Sequence, residues 1–288
     1  METAIRAAFD TLSLTSILIL LVLGMSVIVS MMRVFNLCHG ELVLLGAGCS
    51  LLAQEWLGSS WVWVGMIAAP FVVGLVGFVI ERTVIRRFYH RPAGALLATF
   101  AIGLIIREIV RARMKVQALP VTPPVDGTFA MGGALLSTWR LILIIAVAVI
   151  LAGCWLLVTR TDIGLRVRAT LDNTALAEAS GIPTRRVFSG TYSFGAALAG
   201  LAGALIVPVQ TFFPDLGVQY LIRSFIAVML GGIGTFLGPI LGAGTIGVTS
   251  GLLPLWIDGY LTNVIIIVAA IVVMRMRPAG LFARTGTR

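Results

Sequence analysis

Polar groups able to bind a solute occur together in the segment Phe35-Asn36-Leu37-Cys38-His39-Gly40-Glu41, between two long apolar runs. Ionisable residues in such surroundings usually face a cavity or a charged partner, because they are costly in hydrocarbon. Gly40 allows the backbone to break, and broken helices expose N–H and C=O groups that bind polar solutes. Asn36, His39 and Glu41 therefore predict a solute path at a helix break. A solvated interfacial loop is the alternative.

A second unusual stretch is rich in glycine and spans residues 230–239, including Gly231, Gly232 and Thr235. A phosphate-binding loop is disfavoured because no Lys-Ser/Thr pair follows the glycines. Close helix packing through small residues is a stronger competitor. We favour a helix break that matches the one at 36–40. Two breaks, one in each half of the chain, indicate an internal repeat of the kind that transporters use.

The third stretch, at about 160–186, combines five arginines with helix-capping signals. Asp172 or Asn173 can cap a short helix. Gly181 suits the position just after its end, and Pro183 prevents continuation. A short, capped and exposed helix between two spans could dock into the groove of a partner protein. A plain amphipathic turn at the membrane surface is an equally good interpretation.

Two charged residues, Arg107 and Glu108, lie near the end of another apolar run. They could pair with each other or with neighbours and anchor that end of the helix at the interface. A role in admitting a polar solute is the alternative. His39 and Glu41 do not suffice for a metal site, because no further ligand lies nearby in the sequence.

The composition shows where these stretches must sit. Apolar residues make up 59% of the 288 residues and charged residues 11%, with a mean hydropathy of +1.04. Soluble domains contain about a quarter charged residues. We therefore predict a single all-α, polytopic membrane domain over 1–288. We expect the first apolar run to be retained as a span, since no cleavage site of a signal peptide follows it.

The apolar runs predict about eight spanning or half-spanning helices, since a full span needs about 20 residues. Residues 220–253 are too long for one span and are broken by glycines, so we expect two half-length helices or a hairpin. Residues 112–138, rich in Pro and Gly, predict an irregular external loop. The predicted spans are 12–32, 41–57, 61–80, 93–110, 141–158, 187–207 and 263–274, with 81–91 as a basic loop.

The cations predict an orientation. The chain has 21 Lys+Arg and 12 Asp+Glu, a net charge of +9. Nucleic-acid binding is one source of such an excess, but cytoplasmic loops of membrane proteins also collect Lys and Arg. Loops 81–91 and 159–186 and the tail after 274 hold 13 of them, and the opposite side holds 7. The N-terminus is therefore predicted outside and the C-terminus in the cytoplasm.

The positions of the three cysteines do not indicate a functional site. Cys38, Cys49 and Cys154 are odd in number, widely spaced and set in apolar stretches. This arrangement fits no zinc or redox motif, and small buried side chains explain them.

The motifs together resemble the permease subunits of bacterial ABC importers for branched-chain amino acids, urea and amides. The segment 35–41 is similar to the FNLAHGE element of that family. Gly164-Leu165-Arg166-Val167-Arg168-Ala169 resembles the start of its cytoplasmic coupling segment. Gly231-Gly232-Ile233-Gly234-Thr235 and Arg277-Pro278-Ala279-Gly280-Leu281-Phe282 resemble elements of its C-terminal half. The resemblance extends from about residue 15 to residue 285.

The resemblance implies a non-catalytic translocation subunit in the bacterial inner membrane. Its partners would be a second homologous permease, two ATPase subunits and a soluble substrate-binding protein. ATP and magnesium would bind to the ATPases, and no cofactor to this chain, which lacks a P-loop. The coupling contacts would be Asp172, Asn173, Ala177, Glu178, Gly181 and Ile182. The two broken regions would line the path of the solute.

Several residues look closer to the branch of the family that imports urea and short-chain amides, among them 97–100 and 214–220. A small neutral solute would suit a path lined by Asn36, His39 and Thr99. The chain departs from that branch at Arg223, Arg107 and Glu108. A zwitterionic amino acid would suit Arg107 or Glu108 better. We expect urea or a short-chain amide, with a branched-chain amino acid as the alternative.

Two hypotheses of other classes remain. A stand-alone channel or secondary transporter would need its own ion site, yet the sequence shows no cluster of buried carboxylates beyond Glu41. A membrane enzyme using His39 and Glu41 would need several converging groups, and no second histidine lies within reach in the sequence.

Overall fold

The computed structural model describes residues 2–32, 36–89, 91–114, 118–232, 237–277 and 280–282. Within these ranges the chain is almost entirely helical, and seven helices are long and apolar enough to cross a membrane. This confirms the predicted all-α polytopic membrane fold. The helices are α1 (Glu2–Met32), α2 (His39–Leu57), α3 (Val62–Thr83), α4 (Pro92–Met114), α5 (Thr138–Arg160), α6 (Asp162–Asp172), α7 (Thr174–Ala179), α8 (Thr184–Ile206), α9 (Leu216–Gly231), α10 (Leu237–Leu252) and α11 (Gly259–Met276).

The connector between α4 and α5 is more regular than the sequence suggested. Strands β1 (Thr128–Met131) and β2 (Ala134–Ser137) pair antiparallel, with Thr128 opposite Ser137 and Met131 opposite Ala134. Gly132 and Gly133 join them with φ of +58° and +87°, the positive values that a tight two-residue hairpin turn requires. The prediction of an irregular loop was therefore wrong for this part of 112–138.

Burial separates central helices from peripheral ones. The apolar windows of α1 and α8 are 78% and 72% buried, whereas those of α4, α5 and α11 are each 17% buried. Because lipid is as apolar as a protein core, peripheral helices leave leucine and isoleucine exposed without penalty. α1 packs into two apolar cores, one shared with α2, α3 and α8 and one shared with α9, α10 and α11.

Small residues bring the central helices into backbone contact. A Cβ atom added at Gly46 of α2 would lie 1.9 Å from the carbonyl oxygen of Gly200 in α8. A Cβ at Gly203 would lie 1.9 Å from the carbonyl oxygen of Val43. Such separations exclude any side chain, so α2 and α8 approach as closely as helices in membranes can.

Both predicted breaks occur, but they lie apart. α1 ends at Met32 and α2 begins at His39, while α9 ends at Gly231 and α10 begins at Leu237. The first break packs on the start of α9, where a Cβ at Gly40 would lie 2.3 Å from the carbonyl oxygen of Gly217. Gly231 is 14 residues further along α9, which is about 21 Å at the helical rise. The internal repeat stays a prediction.

The prediction that residues 220–253 form two helices is confirmed by α9 and α10; α9 is shorter than a full span, whereas the segment Leu237–Leu255, which contains α10, is long enough to cross a membrane. The predicted basic loop after the third span was misplaced at its start, since Glu81 and Arg82 belong to α3, which ends at Thr83. Helices α6 and α7 occupy most of the segment 160–186.

Candidate functional site

The first break is organised by the side chain of Asn36. Its Oδ1 accepts a hydrogen bond of 3.1 Å from the backbone N–H of Cys38, and its carbonyl oxygen accepts one of 3.2 Å from His39. This local turn lets α2 start at His39 inside the fold. Thr99 of α4 accepts a bond of 3.2 Å from the backbone N–H of Leu37 and donates one of 3.0 Å to Leu96. The structure therefore brings together Asn36, His39 and Thr99, which the sequence analysis assigned to one solute path.

His39 is fully buried, and its side chain contacts α1. Its Nε2 lies 3.1 Å from the carbonyl oxygen of Leu21. A carbonyl oxygen only accepts, so Nε2 carries the hydrogen and Nδ1 is left as an acceptor. Among the described residues Nδ1 has no hydrogen-bond partner. The imidazole thus keeps one acceptor free beside the break.

Glu41 forms an ion pair with Arg107, which the sequence did not reveal. The Glu41 side chain is 1% exposed and that of Arg107 is 18% exposed. Oε1 of Glu41 accepts from Nη2 of Arg107 and, at 3.1 Å, from its Nε. Oε2 of Glu41 has no hydrogen-bond partner among the residues that the structure describes. A buried ion pair is costly to desolvate and often adds little to stability, so this pair points to a functional role.

The residues of α4 that approach the break share one face. Ala95, Thr99, Gly103 and Arg107 recur every four residues, and the first three are the buried residues of the helix. A Cβ at Gly103 would lie 3.1 Å from Oε2 of Glu41. Along the start of α2, this face of α4 therefore presents the hydroxyl of Thr99, the space left by Gly103 and the guanidinium of Arg107.

Glu108 does not join this group. Its side chain is 59% exposed and pairs with Arg111 at 2.8 Å, while Arg111 also reaches Asp215 at 2.9 Å. Of the two pairings considered for Arg107 and Glu108, with each other or with neighbours, the structure shows the second, with Glu41 as the partner of Arg107 and Arg111 as that of Glu108.

Tyr192 was missed by the sequence prediction. It is fully buried on α8, and its hydroxyl lies beside Asn36 without forming a hydrogen bond among the described residues. Three polar residues, 191–193, inside an otherwise apolar span were the available signal. The break thus has a third polar wall, contributed by α8.

Glu81 forms a second polar cluster, near the end of α3. It is completely buried and accepts hydrogen bonds from Tyr89 at Oε1 and from Ser189 of α8 at Oε2. Burial and the hydrogen bond to Glu81 raise the pKa of Tyr89 above its ordinary value. Sequence alone placed Glu81 in a loop with arginines, where a solvated carboxylate was expected.

The predicted short helix in 160–186 is present as α7, and its capping follows the sequence signals. Asn173 accepts a hydrogen bond of 3.0 Å from the backbone N–H of Leu176, while Asp172 is the last residue of α6. Gly181 has φ of +81° just beyond the end of α7. Ala177 is buried, and Leu176 is 64% exposed.

α7 is tied to the helix that follows it. Thr184, near the start of α8, donates a hydrogen bond to Glu178, and the backbone N–H of Ile182 donates one of 3.0 Å to Ala177. Glu178 accepts this hydrogen bond while remaining exposed, so its role as a contact with a partner stays a prediction.

The glycines of the second break allow backbone segments to pack directly against each other. A Cβ at Gly231 would lie 2.2 Å from the carbonyl oxygen of Gly238, and one at Gly280 would lie 2.5 Å from Gly232. Small-residue packing, the competing interpretation, therefore operates together with the break. Thr235 lies outside the described residues. No group of three or more potential metal ligands occurs in the described part of the chain.

Comparison with known proteins identifies relatives of similar length. The model of the family described as "Branched-chain amino acid transport system / permease component" matches residues 7–274. The high-affinity branched-chain amino acid transport system permease protein LivH of Salmonella typhimurium is 23% identical, covering 97% of this chain and 96% of its own. The corresponding protein BraD of Pseudomonas aeruginosa is 26% identical, covering 92% and 91%.

Among solved structures, a chain of PsaBC from Streptococcus pneumoniae in complex with Fab aligns with 96% of this chain and 93% of its own. The TM-score is 0.47 and the sequence identity is 16%.

Proposed function

Because the chain belongs to the family of permease components of branched-chain amino acid transport systems, we propose that it imports branched-chain amino acids as part of an ATP-driven transporter. The observation that carries this proposal is the match of nearly the whole chain to relatives that bear this description. Urea and short-chain amides, which the sequence favoured, gain no support from these relatives. The alternative of a branched-chain amino acid is the better supported of the two.

The charge pattern at the break supports an amino acid as the solute. A branched-chain amino acid carries a carboxylate and an ammonium group, whereas urea is neutral. Arg107 and Glu41 offer one charge of each sign, and Oε2 of Glu41 is free to accept a hydrogen bond. We place Asn36, His39 and Thr99 in the same path. Glu108, Gly231 and Gly232 lie outside it.

The proposed assembly contains a second homologous permease, two ATPase subunits and a soluble substrate-binding protein. ATP and magnesium bind to the ATPases, and this chain contributes no catalytic group. It resides in the bacterial inner membrane with the N-terminus outside and the C-terminus in the cytoplasm, as the arginine distribution favours.

Helix α7 is the proposed contact with an ATPase subunit. Its exposed Leu176 can enter an apolar groove of a partner, and the bond between Glu178 and Thr184 links α7 to the central helix α8. Movement of α7 on ATP binding would then reach α8, which contacts α1, α2 and α3.

Uptake by the assembled importer tests the solute. Proteoliposomes containing the permeases, ATPases and binding protein are supplied with ATP and with radiolabelled leucine or urea. Leucine is expected to accumulate and urea is not. Uptake of urea alone, or leucine uptake by this chain without ATPases, would contradict the proposal.

Two variants of the coupling segment test α7. Gly181→Trp and Glu178→Arg are expected to preserve ATP hydrolysis by the complex and to abolish leucine uptake. Ser180→Ala, in the same exposed segment, is the matched control and should retain both activities. Normal uptake in both variants would rule out α7 as the coupling element.

A further inference from the structure

A cavity lies apart from the first break, between α1, α9, α10 and α11. Its volume is 320 Å³, within the range of sites for small molecules, which begins near about 300 Å³. Its walls combine leucines of α1 with polar side chains of α9 and α10. This mixture of an apolar wall and a few convergent polar groups is typical of a binding site.

A cationic side chain, that of Arg223 on α9, lines the cavity. Its guanidinium lies over the ring of Tyr220, 5.9 Å from the ring centroid. Among the described residues no carboxylate lies within ion-pair distance of Arg223, and the described residues that line the cavity include none. An arginine on an apolar helix is expected to have a partner, and here an anion is the missing one.

Two residues that line the cavity, Tyr220 and Ser250, carry hydroxyl groups that bear on this conclusion independently. Tyr220 is 4% exposed, and its hydroxyl has no hydrogen-bond partner among the described residues. The same holds for the hydroxyl of Ser250 on α10. Buried donors without partners are rare because each costs about 1–3 kcal/mol. Hydroxyl and guanidinium groups both donate hydrogen bonds, which the oxygens of an anion accept.

The remaining lining residues form an apolar side on α1 and a polar side that consists of Gln210, Thr262 and Asn263. Leu14 and Leu18 are one helical turn apart on α1 and present a continuous apolar surface. Gln210 adds an amide oxygen that can accept from an ammonium group. The cavity therefore matches a molecule with a carboxylate at one end and a branched alkyl group at the other.

We propose that this cavity is a second binding site for the branched-chain amino acid, in which Arg223 and Tyr220 bind its carboxylate. The inference rests on the proposed function for the identity of the solute. It differs in location from the first break, because Gly217 and Leu221 of α9 face Gly40, whereas Tyr220 and Arg223 face the cavity. α9 thus presents one face to each site.

Binding to the full chain in phosphatidylcholine nanodiscs tests the site. Radiolabelled leucine is competed with isovalerate, which keeps the carboxylate and alkyl group, and with leucinamide, which lacks the carboxylate. Isovalerate is expected to compete, and leucinamide to compete at least about tenfold more weakly, as a lost charged hydrogen bond predicts. Equal competition by leucinamide would overturn the carboxylate assignment.

Variants identify the binding residues. Arg223→Gln is expected to weaken isovalerate binding about tenfold and Tyr220→Phe about threefold. Arg223→Lys keeps the charge and should recover part of the loss. Arg113→Gln changes an exposed arginine of α4 and is the matched control. Unchanged binding in Arg223→Gln and Tyr220→Phe, or displacement by phosphatidylglycerol with no binding of leucine or isovalerate, would overturn the proposal.

This outcome is separable from that of the uptake assay. Isovalerate binding that depends on Arg223 supports the site even where the importer carries another solute. Leucine uptake with binding that is indifferent to Arg223 leaves the proposed function standing and removes this site.

Discussion

Glu41 and Glu81 are both buried carboxylates, yet their surroundings differ. Glu41, at the start of α2, is paired with the guanidinium of Arg107 through Oε1 and leaves Oε2 without a partner in the described structure. Glu81, near the end of α3, has no cation among its described partners. Both of its oxygens accept a hydroxyl hydrogen bond, one from Tyr89 and one from Ser189.

The difference distinguishes Glu41, a candidate binding group, from Glu81 with its two hydroxyl donors, a structural contact that we call the Glu81 brace. A carboxylate whose two oxygens are occupied joins the elements that donate to it, here α8 and the segment after α3. A carboxylate that is held by a cation and has one oxygen without a partner can still accept a hydrogen bond from a solute. Burial alone would have ranked the two equally, so the hydrogen-bond inventory of each oxygen is the more useful criterion.

Removal of the cation at Glu41 should have the largest effect. Arg107→Met leaves a buried carboxylate unpaired, which costs about 3–5 kcal/mol in the free energy of unfolding. The double variant Glu41→Gln/Arg107→Met removes both charges and should regain most of that stability without regaining leucine uptake. Denaturant unfolding in detergent measures the first effect. An Arg107→Met protein as stable as the parent would show that the pair does not define the break.

Loss of one hydroxyl at Glu81 should have an intermediate effect. Ser189→Ala leaves Oε2 unsatisfied and is expected to lower the free energy of unfolding by about 2 kcal/mol. Ser193→Ala on the same helix is the matched control, since Ser193 donates to the carbonyl oxygen of Gly74 at 2.7 Å. That loss should be about 1 kcal/mol. Equal losses would remove the distinction between a carboxylate brace and an ordinary helix contact.

Neutralising each carboxylate in turn tests the site directly. Glu41→Gln is expected to raise the KM for leucine uptake about tenfold, equivalent to about 1.4 kcal/mol. Glu81→Gln should leave that KM unchanged, because its oxygens are already occupied. The two KM values are compared after correction for the amount of folded protein. A larger change in Glu81→Gln would reverse the roles assigned here.

The pH dependence of the Glu81 brace is the smallest expected effect. The folded state keeps the phenolic proton of Tyr89 at pH values where the unfolded chain releases it, since its pKa is raised above the ordinary 10.0. This contribution to stability is therefore fully present below about pH 10 and is lost as the pH rises further. The stability difference between the parent and Tyr89→Phe should be constant to about pH 9 and shrink above pH 10. A difference that grows with pH would contradict this sign.

The features that depend on local interactions along the chain could be predicted from the sequence. The spans followed from hydropathy, because lipid requires long apolar helices. Asn173 and Gly181 delimited α7, because capping and a positive φ are local requirements. The hairpin at 128–137 could have been found from Gly132-Gly133, which is a common two-residue turn.

Long-range pairings could not be predicted in this way. Glu41 and Arg107 are 66 residues apart, and only the packing of α4 on α2 joins them. Glu81 was assigned to a solvated loop because three arginines follow it within six residues. Nothing local shows that α3 continues to Thr83 and turns this carboxylate toward α8. Tyr192 belongs to a run of three polar residues, 191–193, within an apolar span, but the sequence does not show that its hydroxyl points toward the first break.

The contact between α2 and α8 has a consequence for how this protein can vary. Gly46 and Gly203 lie directly against backbone carbonyl oxygens of the facing helix, so no side chain there can change rotamer to absorb a substitution. Even alanine would separate the helices, whereas the lipid-facing positions of α5 or α11 accept any apolar residue of similar size. A map of tolerated substitutions would therefore show low tolerance at these glycines as well as at the buried ion pair of Glu41 and Arg107.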